Sequence, residues 1–227
     1  MIDPIYTAAY NNRGLAYVEK KYFDKAIADF DQAIKLNPFL AEAYSNRGTA
    51  YKIIGDYDRA IADLNQAIRL KPDEEEGYSN RGDTYYRKGD YDRAIMDLDQ
   101  AIQLNPRLSG AYNNRSNAYR DKGDYDKAIS DLKKAIQLNP KSHEAYNNLG
   151  NVYINMGNYN IAITYYNHAI LINNPILTDL YYNRGLAYAK KGDYDKAIMD
   201  YEAVLRIDPN DIQARNNLDQ AQRAQGN

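Results

Sequence analysis

Apolar residues fall in two alternating stripes of helical spacing, and the whole pattern returns every thirty-four residues along most of the chain. In residues 41–74, Ala41, Tyr44, Gly48 and Tyr51 give one helix an apolar face. Ala60, Ile61, Leu64, Ala67, Ile68 and Leu70 give a second helix another. Gly55 lies between them and suits the left-handed geometry that ends a helix, Asp56 or Asp58 suits the cap of the next, and Pro72 stops it. Gly48 and Ala60 are the small residues of the two stripes and predict a close crossing of the paired helices. Ser116 replaces the glycine in the fourth repeat and is small enough to preserve that crossing.

Aligning Pro38, Pro72, Pro106 and Pro140 in one column divides the chain into six repeats, 7–40, 41–74, 75–108, 109–142, 143–177 and 178–211. Two helices per repeat and a polar helix within 212–227 that caps the stack predict thirteen helices. Residues 1–6 read as the tail of a missing preceding repeat, because Pro4 stands thirty-four residues before Pro38. The alternative is that Asp3-Pro4 starts the first helix. Three departures stand out. Lys21-Tyr22 replaces Gly-Asp in the first repeat, Asn173-Asn174-Pro175 adds a residue to the fifth and should alter its rise or twist on the sixth, and Val204 replaces an alanine in the sixth.

The repeat Tyr78, Gly82, Tyr85, Ala94, Leu98, Ala101 and Pro106, with its equivalents elsewhere, resembles the tetratricopeptide repeat (TPR) family over nearly the whole chain. The resemblance implies an all-α fold, a right-handed superhelical α-solenoid of six TPR helix-turn-helix units and a C-terminal capping helix, making less than one full turn. It also implies a scaffold or adaptor for protein partners, with the first helix of each pair lining a concave groove.

Composition narrows the function. Net charge is −2, with 29 basic and 31 acidic residues intermixed, so no basic stripe offers itself to phosphates and nucleic acid is not an expected partner. The absence of cysteine removes disulfides and thiolate metal sites and leaves the compartment open. Neither a signal peptide nor a membrane span is apparent, and cytoplasmic placement is the default expectation. His143 and His168 form no spaced ligand set and no nucleophile–base pair, so no enzyme activity, cofactor or metal is expected. Seventeen of the 24 tyrosines occupy three repeat columns, which assigns them to interhelix packing rather than to a ligand. Asn114-Arg115-Ser116 matches a glycosylation acceptor, but it falls mid-helix and is discounted.

Two further columns carry chemistry. Arg13, Arg47, Arg81, Arg115 and Arg184 precede the small-residue column, and Asp29, Asp63, Asp97, Asp131 and Asp200 occupy the second helix of the same repeats. The fifth repeat lacks both and has Leu149 and Tyr165. This predicts an Arg–Asp bridge inside each repeat, replaced once by an apolar pair in mutual contact. The other column is asparagine in all six repeats: Asn12, Asn46, Asn80, Asn114, Asn148 and Asn183, with Asn11, Asn113, Asn117, Asn147, Asn151 and Asn155 nearby. An amide both donates and accepts, as a peptide group does. The row therefore reads as an asparagine ladder that binds an extended peptide segment, similar to those of some peptide-binding family members. The alternative is that these side chains bond to the adjacent repeat. A Lys/Arg clamp on a C-terminal carboxylate is not expected, since Ala8, Glu42 and Glu76 stand where its basic residues would be.

Two other functions compete with peptide binding: a structural array that self-associates through the N-terminal edge, around Tyr10, Tyr17 and Ile27, and a regulatory segment of a larger multidomain protein.

Overall fold

The computed structural model describes residues 4–172 and 178–226, and Met1–Asp3 and the Asn173-Asn174-Pro175 insertion, with its expected effect on twist, lie outside them. The described residues form thirteen α-helices and no strand. In order they are α1 Pro4–Glu19, α2 Phe23–Leu36, α3 Ala41–Ile53, α4 Tyr57–Leu70, α5 Glu75–Lys88, α6 Tyr91–Leu104 and α7 Ser109–Asp121. There follow α8 Tyr125–Leu138, α9 His143–Asn155, α10 Tyr159–Ile172, α11 Thr178–Lys191, α12 Tyr194–Ile207 and α13 Ile212–Gln225. The chain divides into two compact halves, Met1–Lys122 and Gly123–Asn227, with the division after α7.

Within each half, consecutive helices pack on one another: α1 through α7 in the first and α8 through α13 in the second. The turn between paired helices follows from two residues. Gly55, Gly89, Gly123, Gly157 and Gly192 all have positive φ, the region in which a side chain is strained. In the second, third and fourth repeats the aspartate after the glycine then caps the second helix: Asp56 accepts from the Arg59 N–H at 3.1 Å, Asp90 from that of Arg93 and Asp124 from that of Lys127. The first repeat does without both devices. Lys21 holds φ 61° without a glycine, and Tyr22 makes no side-chain cap.

The close crossing is where the sequence puts it. A Cβ on Gly48 would lie 3.0 Å from Leu64 Cγ and 3.1 Å from the Ala60 carbonyl oxygen. Ser116 is buried, and its hydroxyl donates to the Asn113 carbonyl at 2.6 Å. The core is a seam of alanine and leucine: Ala60, Leu64, Ala94, Leu98 and Ala128 are wholly buried. α13 closes the second half through Ala214, Leu218 and Ala221, and Val204 is buried on α12, on which α13 packs.

The tyrosine columns serve this packing. Tyr17 and Ile27, expected to form an exposed N-terminal patch, instead pack against Ala26, Phe30 and Ala50 between α1, α2 and α3. They are covered because α3 rests on the same seam.

Candidate functional site: the face of the first helices

The interior Arg–Asp pairs fix the helices that carry the candidate site. Arg47 donates from Nε (2.7 Å) and Nη2 (2.6 Å) to the two carboxylate oxygens of Asp63. The same two-pronged bond joins Arg13 to Asp29, Arg81 to Asp97 and Arg184 to Asp200. The bond to Asp63, first among its causes, lifts the Arg47 pKa still further above its ordinary value. In the fifth repeat Tyr165 stacks on Tyr153, with ring centroids 5.5 Å apart and planes at 9°, and tilts against Tyr146. Leu149 is buried there.

In the first half the first helices α1, α3, α5 and α7 touch one another in sequence, and in the second half α9 touches α11. Asn12, Asn46, Asn80 and Asn114 stand at the same place on α1, α3, α5 and α7, and Asn148 and Asn183 on α9 and α11. Asn12 is exposed and the other five are half-buried. Asn46 Nδ2 donates to Asn11 Oδ1 at 3.0 Å, and Asn183 Nδ2 to Asn147 Oδ1 at 3.0 Å. These amide–amide bonds tie adjacent first helices together, as the alternative to peptide binding expected. Each engages one hydrogen of one amide and one carbonyl of the other, so the Asn46 carbonyl and the Asn11 amino group keep their bonding capacity. Asn151 accepts from the Tyr166 hydroxyl (2.7 Å) and Asn117 from Arg120 (3.2 Å), which commits both to the scaffold; Asn113 and Asn148 are also engaged. The side chains of Asn80 and Asn114 make no hydrogen bond to the described residues.

Beside Asn11 and Asn46 lies a cavity of about 270 Å³, walled also by Glu42, Lys71 and Glu76. Lys71 bridges Glu42 (2.6 Å) and Glu74 (2.8 Å), and its bond, foremost, holds the Glu42 carboxyl below the usual range. A charged strip that residue-by-residue reading passed over runs along α3, α5 and α7. Lys52 bridges to Asp83 (2.7 Å), which also meets Arg87, and the Tyr86 hydroxyl donates to Asp121 (2.8 Å) beside Arg120. Burial first, and then the bond to Asp121, push the Tyr86 phenol up to about 12. The signal was present as opposite charges spaced by about one repeat, obscured because those columns change residue type from repeat to repeat.

With this geometry stand the matches to known proteins. The family described as "TPR repeat" matches residues 14–53, 49–89 and 116–157, and "Tetratricopeptide repeat" families match 75–108, 143–174, 178–211 and 98–130. The chain belongs to the tetratricopeptide repeat family. No curated relative matches its sequence. Among solved structures, a chain of the APC/C hetero-tetramer Cut9–Hcn1 superposes with a TM-score of 0.83 at 23% identity over 95% of this chain. The tetratricopeptide chain here spans 42% of that longer protein. PilW, a type IV pilus biogenesis factor, gives 0.85 at 19% identity, covering 93% of this chain and 98% of its own. MamA gives 0.61 at 28% identity, covering 75% and 93%. The fold is a tetratricopeptide solenoid, a scaffold type that generally serves protein–protein interaction rather than catalysis. No helix of the described residues is long and apolar enough to cross a membrane.

Proposed function

We propose that this protein is a non-catalytic adaptor that binds an extended peptide segment along the face of its first helices, through main-chain hydrogen bonds to the asparagine column. The observation that carries this reading is the pairing of Asn46 with Asn11, and of Asn183 with Asn147. Each pair holds its amides in fixed orientation while leaving one donor group and one carbonyl able to meet a peptide group. Preorganisation of this kind lowers the entropy lost when a ligand is ordered. Asn80 and Asn114, whose amides are not engaged in the scaffold, continue the column in α5 and α7. Asn12, Asn113 and Asn117 complete the proposed face of the first half, and Asn148 and Asn151 that of the second; all but Asn12 have part of their capacity already engaged.

Each amide bond contributes about 0.5–1.5 kcal/mol net, so useful affinity requires several together. The contacts are mainly uncharged, and binding should therefore change little with ionic strength. Affinity capture with the intact chain and with an Asn80→Ala/Asn114→Ala variant tests the proposal. A protein segment retained by the first and lost by the second supports it; equal retention by both removes the column as the site.

A further inference from the structure

An asparagine column that reads main chain sets neither the register nor the sequence of the segment it holds. The cavity beside Asn46 and Asn11 has the chemistry to set both. Part of its wall is apolar: Ala41 and Ala67 are almost wholly buried, and Leu15 lies beside them. At about 270 Å³ it falls below the roughly 300–1,000 Å³ typical of sites for drug-sized ligands, and it suits a single long side chain.

The rest of the wall carries charge. Glu42, Glu74 and Glu76 bring three carboxylates and Lys71 one ammonium, so three less one leaves a surplus of two negative charges. Lys71 Nζ donates to one oxygen of Glu42 (2.6 Å) and one of Glu74 (2.8 Å). Glu76 has no partner among the described residues. Glu42 and Glu76 stand in the first turns of α3 and α5, where the helix dipole favours the ionised form. These features meet at one level of the first half. One repeat further on, the places of Leu15, Lys71, Glu74 and Glu76 are taken by Thr49, Asn105, Leu108 and Gly110, and Asn105 bonds to Glu75 (2.8 Å).

A cation on a long aliphatic stem complements both parts of this wall, because lysine and arginine lay the stem on apolar surface and keep the charge at a polar rim. A carboxylate side chain would meet the surplus of like charge, and an apolar one would leave that surplus uncompensated. We propose that this cavity receives a lysine or arginine side chain of the segment bound along the asparagine column, and that the ion pair fixes the segment's register. The inference rests on that reading of the column and adds the chemistry of the ligand: a basic residue whose main chain lies at Asn46 and whose charge meets Glu76 and Glu42. Lys71 competes with the incoming cation for Glu42. This contact is also the one place where salt should act on a binding that otherwise changes little with ionic strength.

Panning a phage library of random peptides against the full chain supplies the probe, and the selected peptide, labelled with fluorescein, is titrated by fluorescence anisotropy. The selected sequences should share one lysine or arginine, and replacing it with norleucine should weaken binding about tenfold. Glu76→Gln should weaken the basic peptide about fivefold and leave the norleucine peptide unaffected. Lys71→Gln should tighten the basic peptide about threefold by releasing Glu42, a gain that loss of a structural contact would not produce. Glu76→Lys should shift preference to a peptide with glutamate at the same place. Selected peptides without a shared basic residue, or a basic residue whose affinity ignores both Glu76→Gln and Lys71→Gln, would overturn the proposal; weakening by Asn80→Ala/Asn114→Ala would then still uphold the column. Dependence on Glu76 without dependence on Asn80 and Asn114 would remove the column and with it the register. No selected peptide at all would overturn both.

Discussion

In the third repeat Arg81 reaches Asp97 on its own second helix and Asn65 on the preceding one, whereas in the fifth repeat all three places change together, to Leu149, Tyr165 and Lys133. One guanidinium holds three helices in the third repeat. In the fifth, Tyr165 joins a column of rings with Tyr153 and Tyr146, and Tyr146 stacks in turn on His168. The unit of exchange is therefore a triad. An arginine at 149 would face a tyrosine and a lysine in place of its two acceptors, so losing the arginine goes with losing both. Polar and aromatic versions of the joint can serve the same scaffold because a well-made buried pair and a well-packed apolar substitute are often close in stability.

Removing one member of the polar triad should have the largest effect. Asp97→Ala leaves the mostly buried Arg81 guanidinium without its carboxylate and should cost about 3–5 kcal/mol in urea denaturation followed by circular dichroism. A loss no larger than that of a typical surface substitution would show the pair to be incidental. Tyr165→Ala removes a ring from the fifth-repeat column and should cost about 3 kcal/mol, with Tyr165→Phe nearly neutral in the same assay. Combining Arg81→Leu with Asp97→Tyr copies two of the three fifth-repeat places into the third repeat and leaves Asn65 without the guanidinium it meets. It should leave stability within about 1 kcal/mol of wild type, so that the double change costs far less than Asp97→Ala alone.

A smaller effect separates the two regions at alkaline pH. Tyr86, on the charged strip, is pushed up to about 12, and Tyr165 is raised by burial and by its neighbours Tyr153 and Tyr146. For a raised phenol the folded state resists ionisation while the unfolded chain ionises near 10, so stability is complete below about 10 and declines as pH rises towards 12. Tyr86→Phe should flatten that decline, measured as melting temperature against pH. An unchanged profile would place the alkaline sensitivity elsewhere.

Much of this was legible in the sequence, and the reason differs from residue to residue. Arg47 and Asp63 could be paired because both columns break in the same repeat. The third member was not legible: its column reads Asp31, Asn65, Asp99, Lys133, Asn167, and without knowing which helix lies behind the arginine the lysine looks like noise. The asparagine column was plain, but the bond from Asn46 to Asn11 depends on how far α3 sits from α1, which no spacing within one repeat encodes. Tyr17 and Ile27 looked uncovered because the pattern shows that a face is apolar without showing which side its neighbour occupies.

The interior triads and ring columns leave the asparagine amides of Asn80 and Asn114 with no structural duty. Titrating the captured peptide segment against wild type, Asn80→Ala, Asn114→Ala and the double variant tests that division of labour. Stepwise weakening is expected, about three- to tenfold per substitution, at unchanged melting temperature. Affinity that stays constant across the series, or weakens only as the melting temperature falls, would rule out a binding role for these amides.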